Sequence, residues 1–159
     1  MKNTMMPEIG SRAPSFSGPV QGGGTVALQD FKGKKLALYF YPEDDTPTCT
    51  TQACNLRDNF AELRRHGIAI VGVSADDQSS HERFAEKFSL PFPLIADPNR
   101  DICNAFGVFG DKNLYGRIFK GIKRTTFLID EKQTIVHVFK RPKSGRHAAE
   151  IIEKFSETS

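Results

Sequence analysis

The chain predicts an α/β fold, a mixed central sheet with helices on both faces, preceded by an irregular N-terminal extension. Three observations carry this. The short apolar runs Lys34–Tyr41 and Ile68–Ser74 have the length and composition of strands buried on both sides. The segments after each run place apolar residues at helical spacing. Further on, the runs Thr125–Asp130 and Thr134–Phe139 are separated only by Glu131-Lys132-Gln133, which makes them a hairpin. Strand–helix–strand units give parallel neighbours and the hairpin adds an antiparallel pair, hence a mixed sheet.

Met1 to about Gly24 is rich in Gly, Pro and Ser and predicts irregular structure, with one short strand near Pro14–Phe16. Val26–Leu28 is placed to pair with it. After Lys34–Tyr41, the residues Cys49, Ala53, Leu56, Phe60 and Leu63 recur at spacings of four and three and form one narrow helical stripe. Thr46 suits the N-cap of this helix and Pro47 its first position, while Gly67 after Arg64-Arg65-His66 marks its end. Beyond Ile68–Ser74, a helix is expected over Gln78–Phe88, with His81, Phe84, Ala85 and Phe88 on one side. Pro93–Ala96 follows as a short strand, and Ile102, Ala105 and Phe106 mark a short helix. After the hairpin, a last helix is expected from about Arg146 to Phe155. There is no internal repeat, and residues 1–159 are expected to form one domain.

Composition excludes several functions. The formal net charge of +3 is too small to argue for nucleic acid, and the cluster Lys140-Arg141-Pro142-Lys143 with Arg146 suits a solvated loop. Neither a signal-peptide apolar region nor a membrane-length apolar run is present, so a soluble cytoplasmic protein is expected. Cys49, Cys54 and Cys103 are too few for a secreted disulfide framework. No CxxC or HxxxH companion suggests a metal site, so no metal is expected.

The chemistry centres on Thr46-Pro-Thr-Cys49-Thr-Thr-Gln-Ala-Cys54. In the first turn of a helix, free N–H groups and the helix dipole favour a thiolate at Cys49, the nucleophilic form. Asp44 and Asp45 oppose this if they face the sulfur; they can equally cap or be solvated. Five residues on an α-helix advance about 7.5 Å and rotate about 140°. The two Cα atoms would therefore lie roughly 8–9 Å apart, beyond the disulfide limit of about 7 Å. A bond between them requires the first turns to unwind. Spacing leaves other readings open: Cys49 as an inert packed cysteine, Cys54 as an incidental one, and Cys103 as a packed one.

Pro42-x-x-x-Thr46-x-x-Cys49 resembles the active-site motif of the peroxiredoxins. The wider run Phe40–Cys54 and the later segment Gly121–Asp130 resemble the bacterioferritin comigratory protein, or peroxiredoxin Q, branch. The likeness extends from about Pro7 to Phe155. It departs at Thr48, where Gly is common, and in having Phe109 near the place of a common Trp. The resemblance implies a thioredoxin-like three-layer fold and a thiol peroxidase acting on hydrogen peroxide and organic hydroperoxides. Cys49 would be the peroxidatic nucleophile and Cys54 the resolving cysteine. Thr46 would offer its hydroxyl to peroxide and sulfur, Arg124 would stabilise the thiolate and polarise the peroxide, and Pro42 would shield the pocket. It further implies an intramolecular disulfide reduced by thioredoxin or a similar dithiol, a monomer, and no metal, haem or flavin. The alternatives are a disulfide oxidoreductase, which would need a CxxC pair, and a non-enzymatic redox sensor or holdase.

Overall fold

The computed structural model describes residues 5–158. The expectation of irregular structure at Met1–Thr4 lies outside the described residues. The central sheet has five strands: β3 (Lys35–Phe40), β4 (Ile68–Ser74), β5 (Leu94–Ala96), β8 (Thr125–Ile129) and β9 (Ile135–Phe139), in the order β5-β4-β3-β8-β9. β3 pairs in parallel with β4, and β4 with β5; β8 pairs antiparallel with β3 and with β9. The mixed sheet is the one expected.

Alternation along β3 divides the core. Leu36, Leu38 and Phe40 enter one layer with Phe106, Phe127 and Ile129; Ala37 and Tyr39 enter the other with Leu56, Leu63, Phe84 and Ile151. The helices α1 (Pro47–Asp58), α2 (Phe60–Arg65), α3 (Gln78–Phe88) and α5 (His147–Thr158) pack against this second layer. The short α4 (Asp101–Ala105) packs on the first, together with the N-terminal hairpin β1 (Ser17–Pro19) and β2 (Thr25–Ala27). Gly72 lets β4 pass beside Tyr39, since a Cβ there would fall 2.9 Å from the tyrosine ring. Among the described residues, no helix is long and apolar enough to cross a membrane.

Three expectations are corrected. The N-terminal pair lies at Ser17–Pro19 and Thr25–Ala27, not at Pro14–Phe16 and Val26–Leu28. Ala13 and Phe16 instead enter the core from irregular backbone, anchored where Ala13 N–H donates to the Gln133 carbonyl at 2.9 Å. The single long helix is two, because Asn59 leaves helical geometry at φ −111° and ψ 17°. The apolar stripe runs straight across the break, which hid it. Finally, a separate hairpin, β6 (Phe109–Leu114) with β7 (Arg117–Ile122), occupies a stretch with no predicted element.

His147 joins helix to sheet. Its ring is buried, with Nε2 2.8 Å from Thr126 Oγ1 and Nδ1 2.8 Å from Glu150 Oε1. A neutral ring satisfies both by donating from Nδ1 and accepting at Nε2. Burial lowers its pKa below the ordinary 6.5, partly offset by Glu150. The unfolded chain therefore takes up a proton that the fold resists, and this contribution to stability is lost as pH falls below 6.5. The urea midpoint is expected to drop on acidification from neutrality. His147→Gln is expected to be less stable by about 1–3 kcal/mol and to show a flatter pH slope. Parallel slopes for the two proteins would contradict the assignment.

Candidate active site

α1 begins at the C-terminal end of β3, after the bend at Pro42 and the turn through Asp44-Asp45. Thr46 holds the N-cap position with extended backbone, and Thr50 N–H donates to its carbonyl at 2.8 Å. Its side chain does not cap the helix as expected. The Thr46 hydroxyl donates to the Glu43 carbonyl at 2.9 Å, which ties the turn to itself. Pro47 stands first in the helix, where a missing N–H costs nothing.

Asp44 and Asp45 diverge. Asp45 is exposed and pairs with Lys87. Asp44 is buried: it accepts from the Tyr41 hydroxyl at 2.6 Å and from Ser80 at 2.7 Å, and it lies 2.7 Å from His81 Nδ1. Its own backbone N–H donates to Asp76 at 2.8 Å. These bonds fix the loop that leads into α1.

Cys49 is 2% exposed and lies on the apolar stripe over Tyr39 and Tyr41. Arg124, just ahead of β8, reaches it from the neighbouring strand. Arg124 Nη2 donates to Cys49 Sγ at 3.2 Å, and Nη1 donates to Gln52 Oε1 at 2.9 Å. The β3–β8 register sets Thr125 opposite Phe40, so the residue before Thr125 arrives where α1 starts. The guanidinium sets a permanent positive charge and rigidly held N–H donors beside the sulfur. Tyr39 lies beneath, fully buried. Burial above all, and then Cys49, raises its phenol well above the ordinary range, so it stays protonated at neutral pH.

Cys54 lies in the same intact helix, half-buried, on a shallow groove lined by Thr50, Thr51, Asn55, Asp58 and Gly145. Both cysteines are free thiols. Cys103 is separated from them by the sheet, because it belongs to the opposite core layer. Burial, then the nearby Asp97, pushes its thiol well up. It is a packed cysteine whose surroundings disfavour the thiolate.

The fold therefore brings together Cys49 and Arg124 of the expected residues. Thr46 and Pro42 stand in the loop before α1, and Cys54 stands apart. Gln52 was not anticipated. Its signal was a polar residue three positions after Cys49 and fully buried in the structure, where a side chain needs a partner.

A family model described as the AhpC/TSA family matches residues 9–138. The chain belongs to the AhpC/TSA family. Peroxiredoxin Bcp of Escherichia coli strain K12 is 45% identical over 140 residues, covering 88% of this chain and 90% of that protein. Among solved structures, a mutant of Xanthomonas campestris peroxiredoxin Q superposes with a TM-score of 0.84 at 33% identity, covering 91% of this chain and 92% of that one. A second, described in terms of the alkyl peroxide reduction activity of Xanthomonas campestris bacterioferritin comigratory protein, gives 0.83 at 32% identity, with 91% and 92% covered. The peroxiredoxin resemblance of the two motifs thus holds, and with it the thioredoxin-like α/β fold and the thiol peroxidase activity.

Within this AhpC/TSA protein, Arg124→Ala is expected to slow reduction of hydrogen peroxide by about a hundredfold, as for loss of one preorganised donor to developing charge. Gln52→Ala, which frees Arg124 on one side, is expected to cost about tenfold. Quenched-flow measurement of thiol oxidation by hydrogen peroxide reads both. Wild-type rates in Arg124→Ala would contradict the arrangement.

Proposed function

We propose that Cys49 is the peroxidatic nucleophile and Cys54 the resolving thiol of this peroxidase. The Arg124 guanidinium in contact with the Cys49 sulfur is the observation that carries the reading. The Cys49 thiolate attacks one peroxide oxygen. The O–O bond breaks, and the leaving oxygen takes a proton to become water or an alcohol, with Cys49 left as a sulfenic acid. Arg124 holds the sulfur and polarises the peroxide; Thr46 orients it once its hydroxyl turns from Glu43; Pro42 screens the pocket from solvent.

Cys54 then attacks the sulfenic sulfur. A disulfide forms and the sulfenic oxygen leaves as water. An external dithiol, thioredoxin or one like it, restores both thiols by exchange and becomes oxidised itself. The scheme balances without metal, haem or flavin. Substrates are hydrogen peroxide and organic hydroperoxides; the second class is supported by the alkyl peroxide reduction ascribed to the Xanthomonas relative. The protein works as a single-domain monomer in the cytoplasm, a reducing compartment that suits three free thiols, and there it removes peroxides.

Disulfide formation requires α1 to open, and the local energetics favour opening at its start. Thr50 Oγ1 and Gln52 Nε2 are buried with no hydrogen-bond partner in the folded helix. Each such group costs about 1–3 kcal/mol, relieved on exposure. The second half of α1 is pinned instead. Asn55 donates to the Gly145 carbonyl at 3.0 Å and accepts from Ala148 N–H at 2.8 Å, while Arg57 donates to the Phe88 carbonyl at 2.8 Å. Unwinding thus begins at Cys49, which swings toward a Cys54 that stays in place.

Peroxide consumption coupled to thioredoxin oxidation is expected to stop in Cys49→Ser. Cys54→Ser is expected to keep the first turnover and lose recycling. Peptide maps of peroxide-treated protein should show a Cys49–Cys54 link. A dominant link to Cys103 would overturn the pairing. A Cys49–Cys54 link without catalytic turnover would point to a redox sensor or holdase instead.

A further inference from the structure

Lys112, on β6, is a cation that the chemistry above does not use. Its side chain crosses the β6–β7 hairpin over Gly121, where an added Cβ would fall 3.0 Å from Lys112 Cδ. The ammonium then donates to the Ile122 carbonyl at 3.0 Å, at the very end of β7. Two residues further on is Arg124, and between them Lys123 N–H donates to the Val108 carbonyl at 2.7 Å. We propose that Lys112 is a positioning residue for peroxide reduction: bonded to Ile122, it holds the strand end from which Arg124 reaches Cys49 and Gln52 at once. The inference rests on the reading of Cys49 and Arg124 as the reacting thiol and its cation.

The arrangement is more specific than hairpin closure. The other lysine that bridges this hairpin, Lys120, pairs with Asp111 at 2.9 Å, and both side chains are well exposed. Lys112 is half-buried and spends its hydrogen bond on a carbonyl. It also lies within electrostatic reach of both Arg124 and Cys49. Burial, and then repulsion from Arg124, lowers its pKa, while Cys49 opposes the shift. Two half-buried cations within electrostatic reach of one another are offset by negative charge, which a Cys49 thiolate supplies. Gly121 contributes by leaving the lane along which the lysine stem runs. Register matters too: Lys112 lies opposite Phe119, so a one-residue slip would carry the ammonium to the other face of the hairpin.

A double-mutant cycle tests this in the full-length protein carrying Cys54→Ser, where only the first step is seen. The readout is the second-order rate of Cys49 sulfenic acid formation with hydrogen peroxide, trapped by a sulfenic-acid reagent and mapped by mass spectrometry. Lys112→Met is expected to lower this rate about tenfold, as for loss of a charge-assisted hydrogen bond that orders Arg124. Lys112→Arg, which keeps a cationic donor, is expected to retain at least half. In an Arg124→Ala background, Lys112→Met is expected to change the rate less than twofold. An unchanged rate in Lys112→Met, or the same loss with and without Arg124, would overturn the proposal. Thermal midpoints check folding, and Lys112→Gln serves the same cycle if the Met variant is unstable. If no variant yields a Cys49 adduct, the assignment of Cys49 fails, an outcome distinct from failure of Lys112.

Discussion

The site depends on one contact, between the Arg124 guanidinium and the Cys49 sulfur. It spans 75 positions of sequence and is made by strand order. Because β8 inserts beside β3, its first residue, Thr125, lies opposite Phe40. The chain leaving β3 turns through Asp44 into α1, while the chain entering β8 delivers Arg124 to the same edge. A cation placed there gives a cysteine on an apolar stripe, otherwise in a packing position, a permanently charged partner. Cys103 has a different environment. Both thiols are almost fully buried, but Cys103 sits near Asp97 in the opposite layer and is held protonated.

The supporting structure divides into rigid and yielding parts. The Asp44, Tyr41, Ser80 and His81 network holds the loop before α1. Asn55 and Arg57 hold the helix beyond Cys54. Between these anchors, the turns around Cys49 carry two unpaired buried polar atoms and rely on Arg124 for their principal polar contact. A segment bounded in this way can open without loss of the sheet, as local unfolding in proteins commonly does.

Much of this was legible in the residues. β3 and β4 are continuous apolar runs and α3 has a clear helical period, so their bounds lie within a residue or two of those expected. The β6–β7 hairpin was not legible. Its strands hold Gly110, Asp111, Lys112, Lys120 and Gly121, with no sustained alternation. Its turn places Tyr115 and Gly116 at φ 53° and 80°, a conformation usually signalled by Asn-Gly or Asp-Gly. The break at Asn59 was hidden because Leu56, Phe60 and Leu63 keep helical spacing across it. The N-terminal pair was misplaced because Ala13 and Phe16 are buried without belonging to a strand. Within the site, Cys49 and Arg124 came from motif positions. Gln52 and Lys112 emerged only once strand pairing set their surroundings, since neither a lone Gln nor a lone Lys has a spacing that marks it.

Cys49 and Cys54 are free thiols within one closed helix, and in the proposed mechanism they meet only after its first turns open. Hydrogen–deuterium exchange, read peptide by peptide on reduced and peroxide-oxidised protein, tests it most directly. The expected result is loss of amide protection confined to about residues 47–54 on oxidation, with β3, β8 and the Asn55–Asp58 end of α1 unchanged. A Cys49–Cys54 disulfide formed with full protection retained across α1 would contradict it.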